Sequence, residues 1–250
     1  MVPVAVQAGL WGLLSGSALL IGALIGWFVP LSRRLIAGIM AFGAGVLISA
    51  LSFDLMDEAW DRGGLGWVAL GFLGGAILYT AANLALAYAG ARHRKRSVGA
   101  KRPPDGSNGG ALALGALLDG IPESIVIGVS LLEGGAVGLV AVIAVFLSNL
   151  PEGLSSAAGM KKEGKSALFV FSLWAAIAGV AGLSAWLGYV AFDGVAPGIV
   201  AAVQAVAAGA ILAMIVDTMV PEAFEGTHDY AGLIAVSGFL AAFALSKLSG

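Results

Sequence analysis

The chain reads as a succession of long apolar stretches separated by short polar connections. Eight stretches are each long enough to cross a bilayer: Val4–Val29, Leu35–Leu55, Leu65–Ala89, Ala111–Leu131, Ala136–Met160, Ser166–Ala191, Ile199–Val220 and Tyr230–Lys247. A helix rises about 1.5 Å per residue, so about 20 apolar residues cover a hydrocarbon core about 30 Å thick. The pattern predicts an all-α polytopic membrane protein with eight transmembrane helices, forming a single transmembrane domain over residues 1–250. The first stretch lacks the basic segment that opens a signal peptide and is long enough to span, so a retained helix is expected. The one long connection, Arg92–Gly110, is basic at first and then rich in Pro, Gly, Ser and Asn. A mobile or disordered loop is expected there.

Composition points the same way. Hydrophobic residues make up 59% of the chain, charged residues only 11%, and the mean hydropathy is +0.97. A soluble domain carries about 25% charged residues, so lipid must replace water around much of this surface. The absence of cysteine removes disulfides, thiolate metal ligands and a thiol nucleophile together. The net charge of −2 averages over a strongly patterned chain, and nucleic acid is not an expected partner. Eleven of the thirteen basic residues fall in alternate connections: Arg33 and Arg34; Arg92, Arg94, Lys95, Arg96, Lys101 and Arg102; Lys161, Lys162 and Lys165. Only Arg62 and Lys247 fall on the opposite side. Basic residues concentrate in cytoplasmic loops, so both termini are expected outside the cytoplasm, in a multi-pass protein of the cell (inner) membrane.

Two internal repeats stand out. Gly45-Val-Leu-Ile-Ser-Ala-Leu-Ser-Phe-Asp-Leu-Met-Asp-Glu58-Ala aligns without gaps on Gly209-Ala-Ile-Leu-Ala-Met-Ile-Val-Asp-Thr-Met-Val-Pro-Glu222-Ala. With eight spans, this makes spans one to three and six to eight inverted repeats around a central pair. Within that pair, Asp119-Gly-Ile-Pro-Glu123-Ser matches Ser148-Asn-Leu-Pro-Glu152-Gly.

These segments also hold the chemistry. Asp119, Glu123 and Glu152 lie well inside spans, and Asp217 near the end of another. Each buried charge costs about 3 kcal/mol on insertion scales. No Lys or Arg lies at matching depth, which leaves protonation, water or a bound cation to offset it. Spacing favours a cation. Asp119 and Glu123, four residues apart, share a helix face, as do Ser148 and Glu152, with Asn149 beside them. Pro122 and Pro151 remove backbone donors and free the carbonyls of Leu118 and Leu147. Carboxylate, amide and carbonyl oxygens in mid-membrane suit a metal ion. The predicted ligands are therefore Asp119, Glu123, Asn149 and Glu152, with Ser148, Asp217, Glu222 and Asp54 as accessory candidates. The plainer reading makes the prolines simple bends and the acids neutral packing groups, which leaves the duplicated acids unexplained. Met56, Asp57, Glu58 and Asp61 read as a solvated outer helix end, or as a metal-attracting vestibule. His228 reads as a solvated loop residue.

The paired Pro-Glu motifs resemble helices four and five of the ZIP family of zinc/iron-type permeases, whose prokaryotic members carry patterns such as His-Asn-x-Pro-Glu-Gly there. Asp217-Thr-Met-Val-Pro-Glu222-Ala is similar to that family's Asp-Glu-Leu-Ile-Pro-Glu-Ala-His, and Gly43-Ala-Gly45-Val-Leu to the opening of its second helix. The resemblance implies a homodimeric carrier with metal held between helices four and five, and Glu123, Asn149 and Glu152 as ligands. The chain departs from the pattern in places. Asp119 replaces a His and Gly120 an Asn. Ser148 stands where Gln or His is usual, Gly182-Leu183 replace a Glu-Pro, and Phe224 replaces a His. Val46 or Leu47 stands where some relatives carry a metal-binding Met.

The expected function is transport of divalent metal cations, zinc first and then Fe, Mn or Cd. The metal is cargo and no cofactor is expected. Asp119 supplies a hard oxygen where an imidazole would favour zinc, so a single oxygen-held ion with weaker zinc discrimination is expected. A proton-linked carrier of a non-metal solute is the alternative within transport; metal binding would separate the two. An intramembrane enzyme using paired carboxylates is the alternative outside it. With no Cys and no embedded His, nothing supports a nucleophile, and an enzyme is not expected. Proteoliposome uptake would separate a carrier from a metal sensor.

Overall fold

The computed structural model describes residues 2–88, 109–132 and 138–249, with residues 109–114 and Ser249 described by backbone alone. The expected loop Arg92–Gly110 lies almost wholly outside the described residues. Every regular element described is helical: α1 Val4–Phe28, α2 Arg33–Ala50, α3 Met56–Leu86, α4 Gly109–Ser130, α5 Leu139–Lys162, α6 Ala167–Phe192, α7 Pro197–Met214, α8 Val220–Thr227 and α9 Ala231–Ser249. Short π-helical turns, Leu51–Leu55 and Ile215–Met219, join α2 to α3 and α7 to α8 without a break, and a 3₁₀ turn, His228–Tyr230, links α8 to α9.

Among the described residues, five helical stretches are long and apolar enough to cross a membrane: Val4–Phe28, Arg33–Leu86, Leu139–Lys162, Ala167–Phe192 and Pro197–Leu248. Two of them, at 54 and 52 residues, far exceed the ~20 residues of one crossing. Both turn midway. Gly64 sits at φ +67°, ψ −178° inside α3, a backbone that only glycine adopts cheaply. His228 sits at φ +47° at the end of α8.

The second and seventh spans run further than their apolar runs suggest. Helix continues through the π turn Leu51–Leu55 into the Asp57–Arg62 segment, and from Val220 to Thr227. Glu225, beyond the end of the seventh apolar stretch at Val220, is therefore helical. Polar residues near an end do not stop a helix whose own backbone bonds remain satisfied. Arg62 and Glu58, one turn apart, form an ion pair that supports this extension.

Helices meet through glycines. A Cβ on Gly45 would lie 1.8 Å from the Ala235 carbonyl oxygen, and one on Gly238 2.1 Å from that of Phe42, which locks α2 to α9. Gly75 meets Val206 and Gly209 meets Phe72, both at 1.9 Å, between α3 and α7. Gly22, Gly26 and Gly153 do the same between α1 and α5, and Gly128 with Gly188 between α4 and α6. Lipid tails are as apolar as leucine, so close backbone approach of this kind holds helices together in a membrane. At one end of the bundle Lys161 donates to the Trp27 carbonyl and lies over its indole. This satisfies an orphan carbonyl at the end of α1.

Candidate functional site

Proline interrupts both central helices where the repeat places it, at Pro122 in α4 and Pro151 in α5. The helices continue through them, because each proline costs one backbone bond and frees one carbonyl. The carbonyl freed by Pro151, that of Leu147, lies beside Gly43 of α2, where a Cβ would be 3.2 Å away. A side chain here would press on that carbonyl and require a small shift of the neighbouring helix.

The acids of α4 are deeply buried: Asp119 is 4% exposed and Glu123 1%. On α5, Ser148 and Asn149 are both 6% exposed, and Glu152 is partly buried. Glu123 lines a cavity of about 20 Å³ whose remaining wall is apolar and comes from α2, α4, α5, α7 and the first π turn. That is about the space of one water molecule. A second cavity, of about 10 Å³, is lined by Gly120, Ser124 and Asn149 with apolar residues of α1, α4 and α6.

Local hydrogen bonds orient these groups. Asn149 donates its amide Nδ2 to the Ser15 carbonyl of α1 at 3.3 Å, which leaves its own carbonyl oxygen as the available acceptor. The Ser148 hydroxyl donates to the Val145 carbonyl at 2.9 Å and the Ser124 hydroxyl to that of Gly120 at 2.7 Å. Each hydroxyl keeps lone pairs to offer. These side chains therefore present oxygen, the donor type that suits hard cations.

The accessory candidates part company. Asp54 sits in the first π turn, partly buried, and accepts a hydrogen bond from Ser246 of α9 at 2.9 Å. Asp217 occupies the second π turn and is exposed. Glu222 is partly buried and accepts from Ser155 of α5 at 3.4 Å, which ties the lower part of α8 to the helix carrying Glu152. His228 is exposed at the turn out of α8, with its ring edge-on to Phe224. Of the positions where the family pattern has other residues, Leu47 lines the Glu123 cavity and Gly182 packs against Gly9 and Leu13 of α1. Among the described residues, no three Asp, Glu or His side chains gather closely enough to hold a metal by themselves.

Several buried polar groups escape motif reading. Ser15, Ser124 and Ser155 are buried, yet single serines are common in membrane helices. Gln204 of α7 is 1% exposed with neither side-chain polar atom hydrogen-bonded. An amide alone in an apolar span was the available signal. No family model matches the chain, and no curated protein matches it.

Proposed function

We propose that this protein is a membrane carrier of divalent metal cations whose cargo passes between α4 and α5. The observation that carries the reading is the burial of Asp119 and Glu123, four residues apart on α4, together with the burial of Ser148 and Asn149 on α5, in a helical chain apolar enough to lie in lipid. α4 contains no Lys or Arg, and α5 none before Lys161. Buried carboxylates without basic neighbours on their own helices suit a site that receives positive charge from outside. Asp119, Glu123 and Glu152 would supply charge. Asn149 and Ser148 would add neutral oxygens, so the site need not contain three clustered acids. The metal enters as substrate, and the carboxylates release protons to hold it.

The reading includes eight crossings arranged as inverted repeats. Counting the two halves of each long helical stretch separately, and adding α4, gives eight. One constant shift along the sequence carries Phe42, Gly45 and Leu51–Leu55 onto Val206, Gly209 and Ile215–Met219, so the α2·α9 contact and the α3·α7 contact use matching positions. A second shift carries Phe72 and Gly75 onto Ala235 and Gly238. A ZIP-type carrier would have this plan. Gly182, packed closely against Gly9 and Leu13 of α1, supplies no acid to help hold a second ion, which favours one ion per subunit.

Purified protein in proteoliposomes tests the reading. Zn²⁺ or Mn²⁺ uptake is expected, and Glu123→Ala and Glu152→Ala should each abolish it while still inserting. Normal uptake by both variants, or no metal uptake by the native chain, would overturn the assignment.

A further inference from the structure

Gln204 stands out among the polar residues the carrier site does not use. It is 1% exposed, and both its amide oxygen and its amide nitrogen lack a hydrogen-bonding partner. A buried amide without partners is costly in lipid, where no water is at hand. Helical geometry fixes where it points. Gln204 and Ile211 are seven residues apart on α7, which is two turns less about 20°, so they share a face about 10 Å apart along the axis. Ile211 lines the Glu123 cavity. The opposite side of α7 is occupied, because Ala202, Val206 and Gly209 lie against Gly71, Phe72 and Gly75 of α3. Gln204 is two residues, about 200°, round from Ala202. It therefore faces inward, above the cavity, on the side nearer the start of α7. That end of α7 packs on the Gly63–Trp67 bend of α3, through Gly198 and Ala201. The Glu58–Arg62 ion pair lies in the turn just before this bend, and it is the end poor in basic residues.

We infer that Gln204 is a second cation-binding position, an amide oxygen that receives the incoming divalent ion on its way from the outer end to Glu123. This rests on the metal-carrier reading. Apart from Glu123 the cavity lining is apolar, Leu51, Leu55, Val126 and Val145 with Ile211 among it. An ion entering the cavity must shed water, and an oxygen two turns outward replaces part of that shell. The missing partner of Gln204 in this conformation is then the ion, or the water that accompanies it.

Three variants in proteoliposomes test this, using Zn²⁺ and Mn²⁺ as probes. Glu123→Gln tests the carrier reading alone: if it transports like the native protein, that reading fails whatever position 204 does. With Glu123→Gln inactive, Gln204→Leu should cut uptake at low metal concentration about tenfold, while its thermal stability without metal is retained or raised. Gln204→Glu, which restores an oxygen, should recover uptake. The chain has no native cysteine, so Gln204→Cys reports access directly. It should react with a small impermeant thiol reagent from outside, and Cd²⁺ should protect it. Native uptake by Gln204→Leu would overturn the inference. So would a Gln204→Cys that is unreactive, or that reacts equally with and without Cd²⁺; Gln204 would then be a packing residue.

Discussion

Asp119 is the residue whose chemistry most separates this site from an imidazole-bearing one. Carboxylates and carbonyls suit Mn²⁺ and Mg²⁺ as well as Zn²⁺, whereas imidazole favours zinc. Excess Mn²⁺ should therefore inhibit zinc uptake appreciably in the native protein. Asp119→His should reduce that inhibition, roughly tenfold if one ligand exchange is worth about 1.4 kcal/mol of discrimination. Competition curves for the two proteins are the measurement, and identical curves would remove Asp119 from the ligand set. Asn149 offers a second test. Its amide nitrogen is held by Ser15, so Asn149→Leu loses both that bond and the oxygen. Uptake should fall steeply, and the melting temperature should drop by a few degrees, in line with about 1 kcal/mol for a buried hydrogen bond. Lost stability with unchanged uptake would make Asn149 a purely structural contact.

At the level of elements, the contacts between helices are set by which residues lack side chains. The α1·α5 contact places Gly153 so that a Cβ would fall 2.1 Å from the Leu19 carbonyl, and Gly22 so that one would fall 2.2 Å from that of Leu150. Backbone cannot yield as a flexible side chain can, so the helices must separate. Gly153→Ala should destabilise the protein by about 2 kcal/mol, the middle of the range for overpacking. Gly120→Ala is the control, because nothing lies within 4 Å of its added Cβ; it should be nearly neutral for stability. Paired thermal melts in detergent check the contrast. Because Gly153 adjoins Glu152, the strained variant should also transport poorly, through a displaced carboxylate.

For the whole molecule, the charged ends define an orientation. Lys161, Lys162 and Lys165 share an end with the close of α1, where Lys161 meets Trp27, and the short connection from Phe28 to Arg33 puts the start of α2 at the same end. Asp193, at the close of α6, lies at the other end. With basic residues held inside, Lys162→Cys should be labelled by an impermeant thiol reagent only after the cells are opened, and Asp193→Cys in intact cells. Both positions are surface-accessible to some degree, and the native chain contributes no background thiol. The reverse labelling pattern would invert the proposed path.

The all-helical character, with helices apolar enough to cross a membrane, was legible in the chain because apolar runs longer than 20 residues leave the backbone only one way to satisfy itself in lipid. The Pro-Glu pair was legible too: proline and an acid inside an apolar run are conspicuous wherever the helix packs. Other features depended on packing. Apolar periodicity is nearly featureless in helices surrounded by lipid, so the sequence could not say which glycines meet which carbonyls. Nor could it say that the second and seventh helices pass through π turns and continue into polar segments, or that Asp217 is exposed while Asp119 and Glu123 are sealed in. Gln204 is the plainest instance. A single glutamine in an alanine-rich run carries no direction, and only the seating of Ala202, Val206 and Gly209 on α3 turns its amide towards the interior, because a helix with one face occupied has the rotation of all its other side chains fixed.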